Sequence, residues 1–165
     1  PDPDQARQVL SARRLAETTL IPLAAQRARP AQIRQLRLLV ERERQHHESG
    51  ERCAAIRLGG EFHLKLAEAA GNAPLVSFQR SLVSQTSLII AQYESGNRSH
   101  CSYDEHMQLI DAIEARDAGQ AVSLMMHHMD HIDSKLNLEE DSASGDLHAV
   151  FSHLGLAKKK PRTAR

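Results

Sequence analysis

The sequence is poor in aromatics: it has no Trp, two Tyr and three Phe among 165 residues. A core must therefore be assembled from Leu, Ile, Val, Met and Ala. Two cysteines, Cys53 and Cys101, form no C-x-x-C pair, so neither a disulfide framework nor a thiolate metal site is indicated, and both read as free thiols. No apolar run approaches the roughly 18 residues a membrane-spanning helix needs. Strand signals are nearly missing as well, with no sustained alternation and no Asn-Gly or Asp-Gly hairpin. The start, PDPDQARQ, has no initiator Met and no basic stretch leading into an apolar one. The expectation is a cytoplasmic piece of a longer protein.

What remains is an ordinary globular composition, 41% hydrophobic and 25% charged, of a length suited to one domain. Basic and acidic residues number 21 each, but five of the basic ones (Lys158, Lys159, Lys160, Arg162 and Arg165) crowd the last eight positions. The rest of the chain keeps 16 basic against 21 acidic residues, a charge of −5. Such a body, short of aromatics, is a poor nucleic-acid surface.

Helical spacing fills the space strands leave. Val9, Leu10, Ala12, Ala16, Leu20, Leu23 and Ala24 recur at three- and four-residue intervals, with Pro22 expected to kink that helix. Pro30 suits the first turn of a second helix carrying Ile33, Leu36, Leu39 and Val40, ending at Glu48 to Gly50. A third, from about Glu51 to Ala70, presents Ala55, Leu58, Phe62, Leu66 and Ala69. Gly71 stops it, and Asn72 caps a fourth with Pro74 in its first turn and Leu75, Phe78, Leu82, Ile89 and Tyr93 along its face. Glu94 to Cys101 reads as a loop. Ser102 and Glu105 form an S-x-x-E capping box opening a fifth helix through Ile113, and Asp117 caps a sixth that runs to about Leu138. Six helices on short connections predict an all-α, antiparallel bundle over residues 1–140. Residues 141–165 read as a linker, a short apolar turn or helix at His148 to Leu156, and a basic tail.

Ten histidines are the unusual feature. His46 and His47 sit at a charged helix end and are expected to be solvated. His127 and His131, spaced i, i+4, could chelate a metal on one face or simply decorate a polar one. His63 follows Phe62 in an apolar context, His106 opens the fifth helix, and His128 lies on the stripe of Ala121 and Met125. Three imidazoles from three helices could meet at one interior point, the way bundles build metal sites. On spacing alone, hydrogen-bonded core or surface histidines are the better account of all three, since separations of 43 and 22 residues match no local metal motif.

The residues around them carry a resemblance. Glu61 to Asn72, EFHLKLAEAAGN, resembles the FH-x-x-L-A-x-A-x-GN signature of the C-terminal effector-binding (FCD) domain of FadR-type GntR-family transcription regulators. Glu105-His106, Leu109 to Ile113, and Asp117 with Ala121, Met125 and His128 resemble that family's second run. Arg13 with Glu17 and Leu23-Ala24-Ala25 resembles its first helix. The match covers about residues 6 to 138 in order.

That resemblance implies a helical bundle with an interior pocket for a small organic acid beside a divalent transition metal (Zn, Ni, Mn or Fe) on one Asp and three His. By position the histidines are His63, His106 and His128. The Asp, four residues before the first His, is replaced by Gly59, and Glu61 points to another face. Arg13 corresponds to an arginine that can grip an effector carboxylate, or else is a surface residue like Arg14. The implied protein is a ligand sensor that homodimerises, its fourth helix offering a candidate interface. It would contact DNA only through a winged-helix domain absent from these residues. The rival reading is a metal-dependent hydrolase or lyase on the same three histidines; a purely structural dimerisation module is the third.

Overall fold

A computed structural model describes residues 1–94 and 102–138 of the chain. They form six helices: α1 (Pro3–Arg27), α2 (Pro30–Glu48), α3 (Arg52–Ala70), α4 (Ala73–Tyr93), α5 (Ser102–Glu114) and α6 (Ala118–Lys135). Among the described residues there is no strand, only an isolated antiparallel bridge between Glu94 and Leu136. The protein is an all-α bundle, as the spacing predicts. The linker and tail expected after residue 140, like Cys101, lie outside the described residues.

The helix ends follow local chemistry. Asp2 accepts from the Gln5 N–H, Asn72 from Leu75 and Asp117 from Gln120, each satisfying a donor that the first turn leaves open. Gly71 closes α3 at φ 69°, a left-handed conformation that glycine adopts without a Cβ penalty. Three arginines reach across to carbonyls at the ends of other helices. Arg116 donates to Ala25 and Ala28 at 2.8 Å each, Arg27 to Ala70 at 2.8 Å and Arg52 to Ile90 at 3.0 Å. Each places a cation where the helix dipole is negative, so helix termination and helix packing are fixed together.

The core is one cluster running through α1 and α3, which between them touch every other helix. Leu20, Ile21, Leu36, Leu58, Phe62, Leu66, Ile89, Ile110, Ile113 and Met125 are fully buried there. A Cβ on Gly60 would stand 3.0 Å from Ser87 Oγ and 3.1 Å from Val83 Cγ1, so this glycine allows the close approach of α4 to α3.

α1 runs to Arg27 with Pro22 inside it, packed along α3, α4 and α6. Two local expectations differ from the structure. Phe78, placed on the apolar face of α4, is 52% exposed, because the buried face of that helix is instead Gln79, Leu82, Val83, Thr86 and Ile89. Ser102 and Glu105 do not form a capping box. The Ser102 hydroxyl donates to Glu43 at 3.2 Å, while the Glu105 carboxylate accepts from His128 and His131.

Candidate metal centre

His63 projects from α3, His106 from α5 and His128 from α6, and all three are buried. Their side chains meet in the bundle interior. The Nε2 of His128 lies 3.3 Å from the Nε2 of His63 and 3.3 Å from that of His106. The opposite ring nitrogens face carboxylates. His106 Nδ1 is 2.8 Å from Glu43 and His128 Nδ1 is 2.6 Å from Glu105. His63 Nδ1 is 2.8 Å from Glu17 Oε1, an ion-pair contact without hydrogen-bond alignment.

A carboxylate only accepts, so Glu43 and Glu105 select the Nδ1–H forms of His106 and His128 and leave the lone pair of each on Nε2. These two lone pairs and the Nε2 of His63 meet at one spot, where a cation can be shared. A tetrahedral ion with metal–nitrogen bonds of about 2.0–2.1 Å spaces its ligands about 3.3–3.4 Å apart, which the two measured separations match. This buried group can hold a metal ion.

The electrostatics agree. Burial pushes the His63 imidazole well below its usual range, reinforced by Arg13, His106 and His128. Burial also pushes His128 down to about 4, against the opposing pull of Glu105. Both rings are therefore neutral near pH 7, the form that binds metal. Burial raises Glu17, countered by Arg13 and by Gln79, whose amide donates to it at 2.6 Å. For Glu105, the contacts with His128 and His131 outweigh burial and hold the carboxyl below its usual range. Arg13 pairs with Glu17, while Glu43 and Glu105, when ionised, stand behind His106 and His128 as two further negative charges for a divalent ion to balance. The charge that a missing Asp ligand would supply is thus present one imidazole ring further out.

Gly59, at the position of the expected Asp, has a spatial reason. A Cβ there would stand 3.0 Å from Glu43 Oε1 and 3.7 Å from His106 Cε1. The bare backbone leaves the room that the Glu43 carboxylate occupies. Glu61 is turned away from the centre and pairs with Arg57 at 3.5 Å.

A cavity of about 140 Å³ adjoins the three histidines, lined also by Arg13, His47, Gly59, Ser87, Ile90, Tyr103 and Lys135. Arg13 is 2% exposed and points inward, its Nε 3.4 Å from Glu17 Oε1 and its Nη2 without a hydrogen-bond partner. Its neighbour Arg14 faces out and pairs with Asp130 at 2.7 Å and with Asp133. The two histidines expected in solvent are tied down. His46 pairs with Glu51, and His47 is half-buried in the cavity wall, its ring 5.9 Å from Tyr103.

Sequence reasoning assigned no role at the centre to Glu17 or Glu43. The signal was a charge on a buried stripe: Glu43 continues Ile33, Leu36 and Val40, and Glu17 falls between Leu10, Arg13, Leu20 and Ala24. A carboxylate at such a position must be paired inside the protein.

Residues 8–131 match the FCD domain family. The chain belongs to it. It is the FCD domain of a GntR-type transcription regulator, an all-helical regulatory and non-enzymatic domain, so the hydrolase or lyase reading of the three histidines falls away. The Uxu operon regulator of Haemophilus influenzae is 28% identical over 135 residues, covering 78% of this chain and 50% of the relative. This FCD domain thus spans about half the length of that curated protein. The solved structure of E. coli McbR/YncC superposes with a TM-score of 0.75 at 18% identity, over 84% of this chain and 66% of that one, a likeness of fold. No helix among the described residues is long and apolar enough to cross a membrane.

Proposed function

We propose that this FCD domain senses a small organic acid at a divalent transition metal held by His63, His106 and His128, with Arg13 gripping the acid's carboxylate. The observation that supports the reading best is the convergence of three buried Nε2 atoms, with Glu43 and Glu105 on Nδ1 of His106 and His128 and Glu17 beside that of His63. Zn, Ni and Fe suit an imidazole donor set, while Mn would draw on the oxygen ligands that water and the acid supply. The ion supplies an electrophilic position for a carboxylate oxygen. Arg13 supplies the second point of attachment, its unpaired Nη2 being a buried donor that a carboxylate satisfies. A cavity of about 140 Å³ fits a few-carbon acid and excludes bulky ligands.

The unit that does this is residues 1–140, with 141–165 as linker and basic tail. The domain works as a homodimer in a cytoplasmic regulator, its DNA contact made by a winged-helix domain outside this chain. Phe78 and Leu88 on α4, 52% and 62% exposed, support a self-association face there.

The test is elemental analysis of untagged protein purified without chelator, followed by thermal-shift measurements with organic acids. Metal added to stripped protein at 100 times its Kd stabilises the native state by about 2.7 kcal/mol. A melting temperature indifferent to every metal and acid tried overturns the proposal.

A further inference from the structure

A second cluster of donors lies beside the buried centre. Glu105 on α5 and His127 and His131 on α6 offer ligand atoms within 4.8 Å of one another. The two histidines are one helical turn apart, and their ring centroids are 4.2 Å apart. His127 is exposed, the His131 side chain is 37% exposed and lines the cavity, and the Glu105 side chain is 11% exposed. Glu105 is already shared: one oxygen takes His128 Nδ1 at 2.6 Å and the other contacts His131 Nδ1. We propose that Glu105, His127 and His131 form a second divalent transition-metal site at the cavity rim, joined to the interior through the Glu105 carboxylate.

The donor chemistry carries the proposal. Two imidazoles at i, i+4 present both nitrogens on one helix face, a spacing that binds divalent ions, and a carboxylate from the adjacent helix completes a facial set with open positions. Imidazole nitrogen selects Zn, Ni, Cu or Co over Mg and Ca. The half-exposed rim leaves the remaining positions to water and gives the ion a path in. Forming the site replaces the His131–Glu105 contact with two bonds to one ion.

The shared carboxylate fixes the sign of the coupling. An ion on Glu105 draws electron density from the oxygen that accepts from His128, which weakens His128 as an interior ligand. Ion at the rim and ion inside therefore oppose each other, reciprocally. The rim is the weaker site because it has more water and fewer imidazoles, so it fills only once metal is abundant.

The test is a titration of chelator-stripped, untagged chain with Ni²⁺ at pH 7.5, with calorimetry for affinity and elemental analysis for stoichiometry. Wild type is expected to take two ions per chain, the second at least tenfold more weakly. His127→Ala/His131→Ala, surface changes whose folding is checked by circular dichroism, is expected to take one. That remaining ion is expected to bind with the affinity of the first ion in wild type, since both bind while the rim is empty. If wild type binds a single ion that the double variant loses, the rim site stands and the interior reading fails. Two ions in the double variant, or a single ion in wild type that the double variant keeps, overturn the rim site.

Discussion

Gly59→Asp restores the carboxylate that the resemblance leads one to expect, and the structure sets what it should do. The new Cβ would stand 3.0 Å from Glu43 Oε1, so the two side chains cannot both keep their places. If Glu43 swings away, it gives up the 2.8 Å bond to His106 Nδ1. A hydrogen bond to a charged group is worth about 1.5–3 kcal/mol. If it stays, two carboxylates about 4 Å apart repel by about 4 kcal/mol at an effective dielectric of 20. Replacing glycine inside a helix returns only about 0.3 kcal/mol. Metal-free Gly59→Asp should therefore be about 2–4 kcal/mol less stable than the parent. For a domain of this size that lowers the melting temperature by about 5–15 °C.

Metal should reverse the penalty, because the aspartate then supplies an anionic ligand one turn before His63 on the same face. The assay is paired thermal and urea unfolding, with chelator and with Ni²⁺ or Zn²⁺. A double-mutant cycle with Glu43→Gln isolates the charge repulsion: the Gly59→Asp/Glu43→Gln protein should be more stable without metal than the two single changes sum to. If metal-free Gly59→Asp matches the parent and the cycle is additive, Glu43 does not occupy the space Gly59 vacates. If the penalty appears but metal fails to relieve it, the three histidines do not hold an ion.

Arg13→Met should abolish the thermal shift produced by organic acids while leaving metal uptake in place, and Arg13→Lys should not rescue it because a single ammonium cannot form the paired contact; calorimetry of both variants decides. The metal-free protein should lose stability as pH falls from about 6.5 to 4. His128 binds its proton near 4 when folded but near 6.5 when unfolded, so the unfolded state takes up more protons in that window, about 3 kcal/mol for this residue alone; a flat stability profile there, by urea titration, contradicts its burial as a neutral ring. Phe78→Asp with Leu88→Asp should shift any dimer to monomer in sedimentation velocity without lowering the melting temperature of the monomer, since both side chains already face out.

The elements were legible because local chemistry defines them. Pro30 and Pro74 open helices, Asn72 and Asp117 cap them, Gly71 closes one, and the apolar spacing between these marks admits no strand. The three histidines were legible only as members of a pattern, since residues 43 and 22 positions apart acquire a common point from helix packing. Phe78 shows the limit in the other direction. Spacing gave α4 an apolar stripe that includes it, while the packed face is the one bearing Gln79 and Thr86, polar residues whose donors reach Glu17 and the Leu82 carbonyl. Glu105 was read as a cap because a capping box needs only a spacing. Its tie to His128 and His131 needs the approach of α6.

The centre is a junction of all six helices. α1 gives Arg13 and Glu17, α2 gives Glu43, α3 gives His63 and the clearance at Gly59, α5 gives Glu105 and His106, α6 gives His128, and α4 joins through Gln79 on Glu17. Without a cation this junction crowds three ring nitrogens together beside three carboxylates, and the neutral rings and the raised Glu17 are how the fold tolerates it. A ligand that supplies positive charge there, or an acid that engages Arg13, acts on every helix packing at once. It can shift the domain between arrangements only by binding one better than another. The six-helix junction is the place where such a difference is largest, because a small relative movement of any helix changes a carboxylate–imidazole contact and with it the nitrogen aimed at the ion.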